Sequence, residues 1–447
     1  MSARERLRDW RPPAQRIAAG PGEALPPGPG SHGAVQSMGV WADRNRYFPR
    51  MRERYGDTFT LRVAPIGTIV VACASEDVRR IALGGPEVFP IGAQNAIFEP
   101  LLGKRTVLAL DGPEHVRERK RMMPALHGSR VDGVKATMAR LTEEEVARWP
   151  VDQPFSLLER LRELTLRVIV RVIMGVDEDG RADRLRPVLR RVVDIRTVDL
   201  FMWVWPELSR VGPWKRAVEA LDLADELLDA EIALRRADPD RAGRPDVLSM
   251  LLDGDPDDDQ VRVELTTLLA GGFETTAVAA GWMFERLLRH PAALARVKAG
   301  LDVEDDPYRA AVVKETLRLR QVSYNVGRLA AQPVDIGDYR VPAGTFVWPS
   351  LAAVHSDKAI WGADAGLFRP ERWLEPDPPH RYFLPFGGGA HRCLGAQFAL
   401  TEMEVILRTV LRAADLVPDR RDDEAPVMRN IITVPKRGVR VRVTAKT

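Results

Sequence analysis

A cysteine near the C-terminal end of the chain is placed where a metal thiolate could form. Phe386 opens a glycine-rich segment that continues through His391 and Cys393 to Gly395, and apolar residues at helical spacing follow from about Leu394. At the start of a helix, the helix dipole and free backbone N–H groups stabilise an anion such as a thiolate. A lone cysteine is more often a small buried apolar residue, so this cysteine alone leaves both interpretations open.

A second segment places an acid beside an alcohol. Gly271, Gly272, Glu274 and Thr275 lie inside the longest stretch of helical periodicity, at about 260–289. Each glycine weakens a helix interior by up to about 1 kcal/mol, so the presence of two glycines here requires an explanation. One reason is close packing against another helix. The other is an open pocket, where a local break in the helical hydrogen bonds holds water or a diatomic ligand.

Two further pairs of ionisable residues each lie on one face of a predicted helix. One pair has opposite charges, and the other consists of two basic residues. Glu315 and Arg318 are three residues apart, and His115 and Arg119 are four apart. Such pairs are neighbours on a helix surface. An exposed ion pair contributes only about 0–1 kcal/mol, and a cationic helix end is usually solvated. Neither pair indicates a function by itself.

The elements that must position these residues are mostly helical. The turn signal at 64–67 separates two apolar runs, 59–63 and 68–72, and predicts a β-hairpin, and further short strands are predicted between 334 and 348. The sequence therefore predicts one mainly helical domain with a minor β region. Helices are predicted at about 113–123, 135–149, 156–175, 183–197, 214–235, 260–289 and 307–320.

Composition excludes several other classes of protein. The 66 basic and 63 acidic side chains leave a net charge of +3, which is too small to favour nucleic-acid binding. Two cysteines cannot form a disulfide framework and indicate a reducing compartment. No segment approaches the about 20 apolar residues of a membrane span, and the charged residues of 1–20 exclude a signal peptide. We therefore predict a soluble, cytoplasmic protein.

The motifs together resemble those of the cytochromes P450, in family order from about residue 25 to 443. The segment 386–395 resembles the haem-ligand signature Phe-x-x-Gly-x-(Arg/His)-x-Cys-x-Gly at every specified position, and 271–275 resembles the oxygen-activating (Ala/Gly)-Gly-x-(Asp/Glu)-Thr. Glu315 and Arg318 resemble the Glu-x-x-Arg motif. The chain departs from the family pattern at 320–322, where His-Pro-Pro is usual, and it has tryptophan for phenylalanine in its arginine motif.

The resemblance implies the cytochrome P450 fold, with haem b (iron protoporphyrin IX) between the long oxygen-activating helix and the helix after the cysteine loop. Cys393 would be the metal ligand, Thr275 would donate a hydrogen bond to bound O2, and Glu274 would pass protons from solvent. A lead-in rich in proline and glycine is expected over 1–38 and a single catalytic domain over 39–447. The residues expected to bind haem are His115, Arg119, Gly271, Gly272, Arg328, Phe386, His391, Cys393 and Gly395. The residues expected to stabilise the protein core behind the haem are Glu315, Arg318 and Arg372.

The resemblance further implies a monooxygenase that uses O2 and NAD(P)H-derived electrons. A ferredoxin or flavodoxin and its reductase would supply them, docking near basic positions such as Arg117, Lys120 and Arg121. A merely solvated helix face explains these basic residues equally well. A peroxide-driven or isomerising haem-thiolate enzyme is one alternative, and a non-catalytic haem sensor or carrier is another. The substrate is expected to be a lipophilic small molecule. The residues expected to line its pocket are Phe201, Val322, Tyr324, Asn325, Ile431 and Ile432.

Overall fold

The structure is a computed structural model that describes residues 3–10, 15–176, 180–193, 206–429 and 431–446. The helices of these residues are α1 (Ala3–Asp9), α2 (Gly33–Tyr55), α3 (Ser75–Leu83), α4 (Gly92–Asn95), α5 (Glu99–Leu102), α6 (Gly112–Met122), α7 (Ser129–Ala147), α8 (Leu157–Met174), α9 (Gly180–Val193), α10 (Gly212–Arg236), α11 (Val247–Leu251), α12 (Asp258–Leu288), α13 (Pro291–Ala299), α14 (Pro307–Leu319), α15 (Leu351–His355), α16 (Lys358–Trp361) and α17 (Ala396–Ala413). The strands are β1 (Thr58–Val63), β2 (Gly67–Ala72), β3 (Phe155–Ser156), β4 (Arg328–Leu329), β5 (Val334–Ile336), β6 (Tyr339–Val341), β7 (Phe346–Pro349), β8 (Ala414–Pro418), β9 (Pro426–Arg429), β10 (Ile432–Pro435) and β11 (Arg440–Lys446).

The mainly helical fold with a minor β region is confirmed. Each predicted helix has a counterpart, in α6 to α10, α12 and α14, with ends that differ by a few residues. The predicted hairpin is also confirmed, because β1 and β2 pair antiparallel with Val63 opposite Gly67. Strand β7 adds to it in parallel, and β4 follows antiparallel, which gives the sheet order β1-β2-β7-β4.

Helix α12 lies at the centre of the largest apolar cluster. It contacts α8, α10, α14 and α17, and every residue from Thr276 to Leu288 is buried. A helix covered on all sides cannot be amphipathic, which explains why its C-terminal half carries few polar residues. Small residues such as Ala277, Ala280 and Gly281 allow the neighbouring helices to approach closely. The rigid packing of this half fixes the position of the segment that precedes it.

Helix α1 forms hydrogen bonds with segments that are distant from it in the sequence. The Ala3 N–H donates to Asp222 Oδ1 at 2.8 Å, and Arg6 pairs with Asp225 at 2.9 Å, both on α10. The Trp10 indole N–H donates to the carbonyl oxygen of Ala96, between α4 and α5, at 3.0 Å. Residues 3–10 therefore pack against the fold. The expected domain boundary at residue 38 stays a prediction.

The proline-rich stretch before α2 runs beside strand β1. The Thr60 N–H donates to the carbonyl oxygen of Pro27 at 2.9 Å, and a Cβ added at Gly28 would lie 2.1 Å from the carbonyl oxygen of Thr60. Only glycine allows this approach of two backbones. Within the residues that the structure describes, no helix is long and apolar enough to span a membrane.

Candidate active site

The cysteine loop is closed by its own backbone. The Cys393 N–H donates to the carbonyl oxygen of Phe386 at 2.9 Å. Gly387 and Gly389 have φ values of 68° and 65°, a region that residues with a Cβ rarely adopt, so the loop requires glycine at both positions. Helix α17 begins later than the sequence predicted, with Gly395 as its N-cap. Cys393 thus precedes the helix and does not form part of its first turn.

The thiol of Cys393 reaches accessible space, although the surrounding protein removes most of its water. This burial raises the pKa of the thiol, while a hydrogen bond from the Gly395 N–H and the positive charges of Arg119 and Arg392 act in the opposite direction. These are the groups that a thiolate needs around it. The loop therefore stabilises negative charge on the sulfur through its backbone and through cations from two segments.

The two glycines of α12 serve different purposes. A Cβ added at Gly272 would lie 2.5 Å from Cδ1 of Ile169 on α8, so Gly272 allows two helices to pack closely. A Cβ added at Gly271 would meet no atom within 4 Å, and Gly271 is exposed although it lies in the middle of a largely buried helix. Close packing therefore accounts for Gly272, whereas Gly271 borders an open space.

Thr275 lies one turn after Gly271. Its Oγ1 donates to the carbonyl oxygen of Gly271 at 2.6 Å, and Thr276 Oγ1 donates in the same way to Gly272 at 2.8 Å. Helix α12 continues through this segment without interruption. The expected break in its hydrogen bonds is therefore not present. The hydroxyl groups instead add a second bond to the carbonyl groups of both glycines.

Glu274 is held by an arginine that the sequence analysis missed. Arg162 of α8 donates from Nε to Glu274 Oε2 at 2.9 Å and from Nη2 to Oε1 at 2.6 Å. Arg162 also pairs with Glu159, which binds Arg190 at 2.6 Å. The available signal was a buried arginine at the spacing of the apolar face of α8. Because the pair is bidentate, Arg162 occupies both carboxylate oxygens of Glu274.

Two of the expected haem-binding residues meet as a ring pair. The rings of His115 and His391 stack with centroids 3.8 Å apart. His391 Nε2 lies 3.2 Å from Asp111 Oδ1, and Asp111 also accepts from the N–H groups of Ile91 at 3.0 Å and Gly92 at 2.8 Å. Asp111 therefore orients His391. Asp111 was not among the site residues expected from the sequence, since nothing local indicates a contact across 280 residues.

Two of the expected haem-binding arginines form no ion pair within the described ranges, namely Arg119 and Arg328. Arg328 is 2% exposed and donates to the carbonyl oxygens of Gly327 at 3.0 Å and Ala82 at 3.1 Å. Burial lowers its pKa to about 10. A buried cation without a carboxylate partner is costly. The two propionates of a haem are anions that would compensate both charges.

The residues present thus fit a haem. They provide one accessible thiol, two arginines without carboxylate partners and an open space beside Gly271. Burial lowers the pKa of His115 to about 4, helped by the positive charges of His391 and Arg119. His115 is therefore neutral near pH 7 and can donate one N–H to an anion.

The expected structural residues form a fully buried network. Glu315 accepts from Arg318 at 2.8 and 2.9 Å and from Arg372 Nε at 3.0 Å. The Trp373 indole N–H donates to Glu315 Oε2 at 3.0 Å, so the tryptophan that departs from the family pattern adds a hydrogen bond. Arg318 also donates to the carbonyl oxygen of His355 at 2.7 Å. A structural role for Glu315, Arg318 and Arg372 stays a prediction.

Three of the expected pocket residues lie near one another. The Thr433 N–H donates to the carbonyl oxygen of Val322 at 2.8 Å, which joins the segment after α14 to β10. Ile432 begins β10, and Ile431 precedes it with 45% of its surface exposed. Phe201 lies outside the described residues. A substrate role for these residues stays a prediction.

Tyr324 and Asn325 contact the sheet of β1 and β2 and helix α2. The ring of Tyr324 packs in the cluster of the β1–β2 sheet, with Phe48 at 5.4 Å and Trp348 in the same cluster. Asn325 Oδ1 accepts from Arg44 Nη1 at 2.6 Å. Side chains alternate in direction along an extended segment, so Tyr324 points toward the sheet. A substrate role for Tyr324 and Asn325 stays a prediction.

The basic positions on α6 are not equivalent. Arg117 and Lys120 are exposed, whereas Arg121 turns inward and contacts Glu118 and Glu264. Arg121 is therefore engaged inside the protein and does not belong to a docking surface.

The chain is similar to known proteins over nearly its whole length. The family model described as Cytochrome P450 matches residues 26–443. Cytochrome P450 135B1 of Mycobacterium tuberculosis is 37% identical over 433 residues, which cover 94% of this chain and 92% of that protein. Cytochrome P450 135A1 of the same organism is 35% identical, with 94% and 95% covered, and cytochrome P450 137 is 34% identical, with 92% and 87% covered.

Proposed function

Because the chain belongs to the cytochrome P450 family, we propose that it inserts one oxygen atom of O2 into a lipophilic small molecule, by hydroxylation or epoxidation. The observation that carries this proposal is the open space at Gly271, bordered by the acid–alcohol pair that follows on the same helix. An enzyme that splits O2 needs such a space and a source of protons beside it.

In this proposal Cys393 ligates the haem iron, and His115, Arg119, Arg328 and His391 hold the propionates. The bound haem supplies the iron at which O2 is reduced. The loop N–H groups and nearby cations moderate the negative charge of the sulfur. The network around Glu315 would keep the protein behind the cofactor rigid.

Thr275 would hold a water for proton transfer. Its hydroxyl hydrogen is donated to the carbonyl oxygen of Gly271, while its oxygen still accepts a hydrogen bond. A water that donates to this oxygen would be fixed beside the open space. Glu274 would contribute protons only after Arg162 releases its carboxylate.

Electrons would come from a separate protein, because an iron–sulfur cluster of the common type takes about four cysteines and the chain has two. A ferredoxin or flavodoxin and its reductase are the proposed source, with NAD(P)H as the reductant. The exposed Arg117 and Lys120 would attract an acidic partner surface. Neither cysteine is in a disulfide, which supports a cytoplasmic location.

A peroxide-driven haem-thiolate enzyme is the second candidate. The observation in its favour is the ion pair of Glu274 with Arg162. Because hydrogen peroxide already carries the protons that reduced O2 would need, this reaction does not require Glu274 to deliver protons. The intact pair of Glu274 and Thr275 favours the monooxygenase.

The first experiment is the absorption spectrum of purified protein that is reduced with dithionite and exposed to carbon monoxide. A strongly red-shifted Soret band is expected, because it indicates a thiolate ligand. Cys393→Ala should lose this band, and the control Cys73→Ala should keep it. A Soret band typical of a histidine or neutral-thiol ligand in the unchanged protein would contradict the proposal. Turnover with NAD(P)H, ferredoxin and reductase, compared with hydrogen peroxide alone, separates the two candidates.

A further inference from the structure

Two carboxyl groups and one guanidinium meet between α6 and α12, away from the acid–alcohol pair. Arg121 Nη2 contacts Glu264 Oε1 directly and lies 3.3 Å from Glu118 Oε2. Gln260 Nε2 donates to Glu264 Oε1 at 3.2 Å and to Glu118 Oε2 at 3.4 Å. Glu118 Oε2 and Glu264 Oε1 thus share the same two donors, Arg121 Nη2 and Gln260 Nε2. Helices α6 and α12 therefore share one polar cluster.

The charges of this cluster balance only with a proton. Glu264 is 1% exposed and Glu118 is 7% exposed, so two carboxylates beside Arg121 would bury one uncompensated negative charge, which is costly. Arg117 contacts Glu118 at 3.1 Å, but its side chain is 68% exposed and compensates little. Two carboxylates on the same donors also repel each other unless one of them carries a proton. One proton shared by the pair meets both conditions.

The pKa values point in the same direction. Burial raises the pKa of Glu264 to about 7, and its hydrogen bond with Glu118 acts in the same direction, while Arg121 and Gln260 oppose it. The pKa of Glu118 is lowered despite its burial, because Glu264, Arg117 and Arg121 stabilise its anion. The proton therefore lies mainly on Glu264 near neutral pH.

The cluster also has polar atoms available for water. Glu264 Oε2, Gln260 Oε1 and Arg121 Nε are buried and have no hydrogen-bond partner in the protein. Buried polar atoms are normally satisfied by protein or by ordered water. These three atoms point to water bound inside the cluster, which could carry a proton onward.

Polar groups continue from the cluster toward the open space. Glu264, Thr267, Gly271 and Thr275 recur once per turn on one face of α12, and Thr267 shares a hydrogen bond of 2.9 Å with Thr106 in the core. At a rise of about 1.5 Å per residue, Glu264 and Thr267 are roughly 4.5 Å apart along the helix, and Thr267 and Thr275 are roughly 12 Å apart. One water can bridge the first gap. A chain of several waters beside Gly271, which has no side chain to relay a proton, would cross the second.

We propose that Glu118 and Glu264 hold one proton in common and supply it, through water along this face of α12, to the water held by Thr275. The proton leaves the pair without electrons and is replaced from bulk water by way of Glu118, so the pair is unchanged after each cycle. The electrons come from the redox partner. This route bypasses Glu274, which Arg162 holds. The inference rests on the proposed function.

Infrared spectroscopy tests the shared proton without any turnover. The unchanged protein should show a protonated carboxyl band that shifts in D2O and titrates near pH 7. Glu264→Gln and Glu118→Gln should each remove this band, because either change leaves one carboxylate paired with Arg121. The control Glu145→Gln, at a buried carboxyl of α7 whose pKa is also raised by burial, should retain it. A band that survives both changes would refute the shared proton.

Coupling of turnover tests the proton route. With a substrate found by its spin-state shift, Glu264→Gln should raise the peroxide released per NAD(P)H at least threefold, as should Glu118→Gln, while Glu145→Gln leaves it unchanged. Combined Glu264→Gln and Glu274→Gln should uncouple further than either alone. Full coupling in both cluster variants would overturn the route. The carbon monoxide spectrum of each variant shows whether the thiolate haem, and thus the proposed function, is intact.

Discussion

Arg162 holds both carboxylate oxygens of Glu274, with Nε 2.9 Å from Oε2 and Nη2 2.6 Å from Oε1. The two side chains come from α8 and α12, and 8% and 13% of their surfaces are exposed. Arg162→Met should lower the free energy of unfolding by about 3 kcal/mol, because it leaves a buried carboxylate without its cation. The combined Arg162→Met and Glu274→Gln should recover most of this loss. Urea titrations of the haem-loaded variants measure both values, and equal losses in the single and combined variants would contradict the expectation.

Thr275 and Thr276 form a matched pair, since each donates to the carbonyl oxygen four residues before it. Only Thr275 follows the glycine beside the open space. Thr275→Ala should keep the thiolate haem spectrum but divert several-fold more reducing equivalents to peroxide, because the water lost from its oxygen carries protons. Thr276→Ala should stay coupled. The measured quantity is peroxide released per NAD(P)H consumed, and coupled turnover by Thr275→Ala would refute its assigned role.

The two glycines of α12 should respond in opposite ways to alanine. Gly272→Ala should destabilise the protein by about 1–3 kcal/mol, because the new methyl group collides with Ile169, and the further change Ile169→Val should relieve part of this loss. Gly271→Ala should stabilise the apoprotein by about 0.5–1 kcal/mol through helix propensity. It should also weaken carbon monoxide binding to the reduced haem. Thermal unfolding and carbon monoxide titration separate the two effects, and equal behaviour of both variants would contradict the assignment of the open space.

The indole hydrogen bond of Trp373 should stabilise the buried carboxylate of Glu315. Trp373→Phe should cost about 1.5–3 kcal/mol, the usual contribution of a hydrogen bond to a charged group, and should leave haem content unchanged. Glu315→Ala should prevent haem incorporation altogether, because it leaves Arg318 and Arg372 buried without an anion. Haem content and unfolding curves test both. A stable, haem-loaded but inactive Glu315→Ala protein would refute the structural role.

The pH dependence of stability reports on Glu264. Its pKa rises from an ordinary 4.5 to about 7 in the folded protein, so the folded state retains a proton that the unfolded state has lost. Stability from this group is present below pH 4.5 and is lost as the pH rises toward 7. Relative to the unchanged protein, Glu264→Gln should gain stability between pH 5 and pH 8, by on the order of 1–3 kcal/mol. Denaturation midpoints at the two pH values measure the gain, and a constant difference would contradict it.

The parts of the fold that depend on local pattern could be predicted from the sequence. Helical periodicity located α6 to α10, α12 and α14, and the turn signal between residues 63 and 68 located the hairpin. The spacing of Glu315 and Arg318 placed them on one helix face, where they form an ion pair. These features depend on residues within one or two helical turns of each other.

Pairings between distant segments could not be predicted in this way. Arg162 and Glu274 are 112 residues apart, and His391 and Asp111 are 280 apart. The start of α17 after the cysteine loop and the direction of Tyr324 also depend on tertiary packing. Spacing in the sequence gives no register between such segments, so their contacts appear only in the folded structure.

Helix α1 has a consequence for synthesis of the protein. Its partners Asp222 and Asp225 lie 219 residues after Ala3 and Arg6 in the chain. At about 5–20 residues per second, a ribosome needs roughly 10–40 s to make α10 after it has made α1. During this interval the apolar face of Leu7 and Trp10 has no partner on α10. The face of α1 that packs against α10 is therefore covered only after α10 has been made, and until then it offers an apolar binding surface to chaperones.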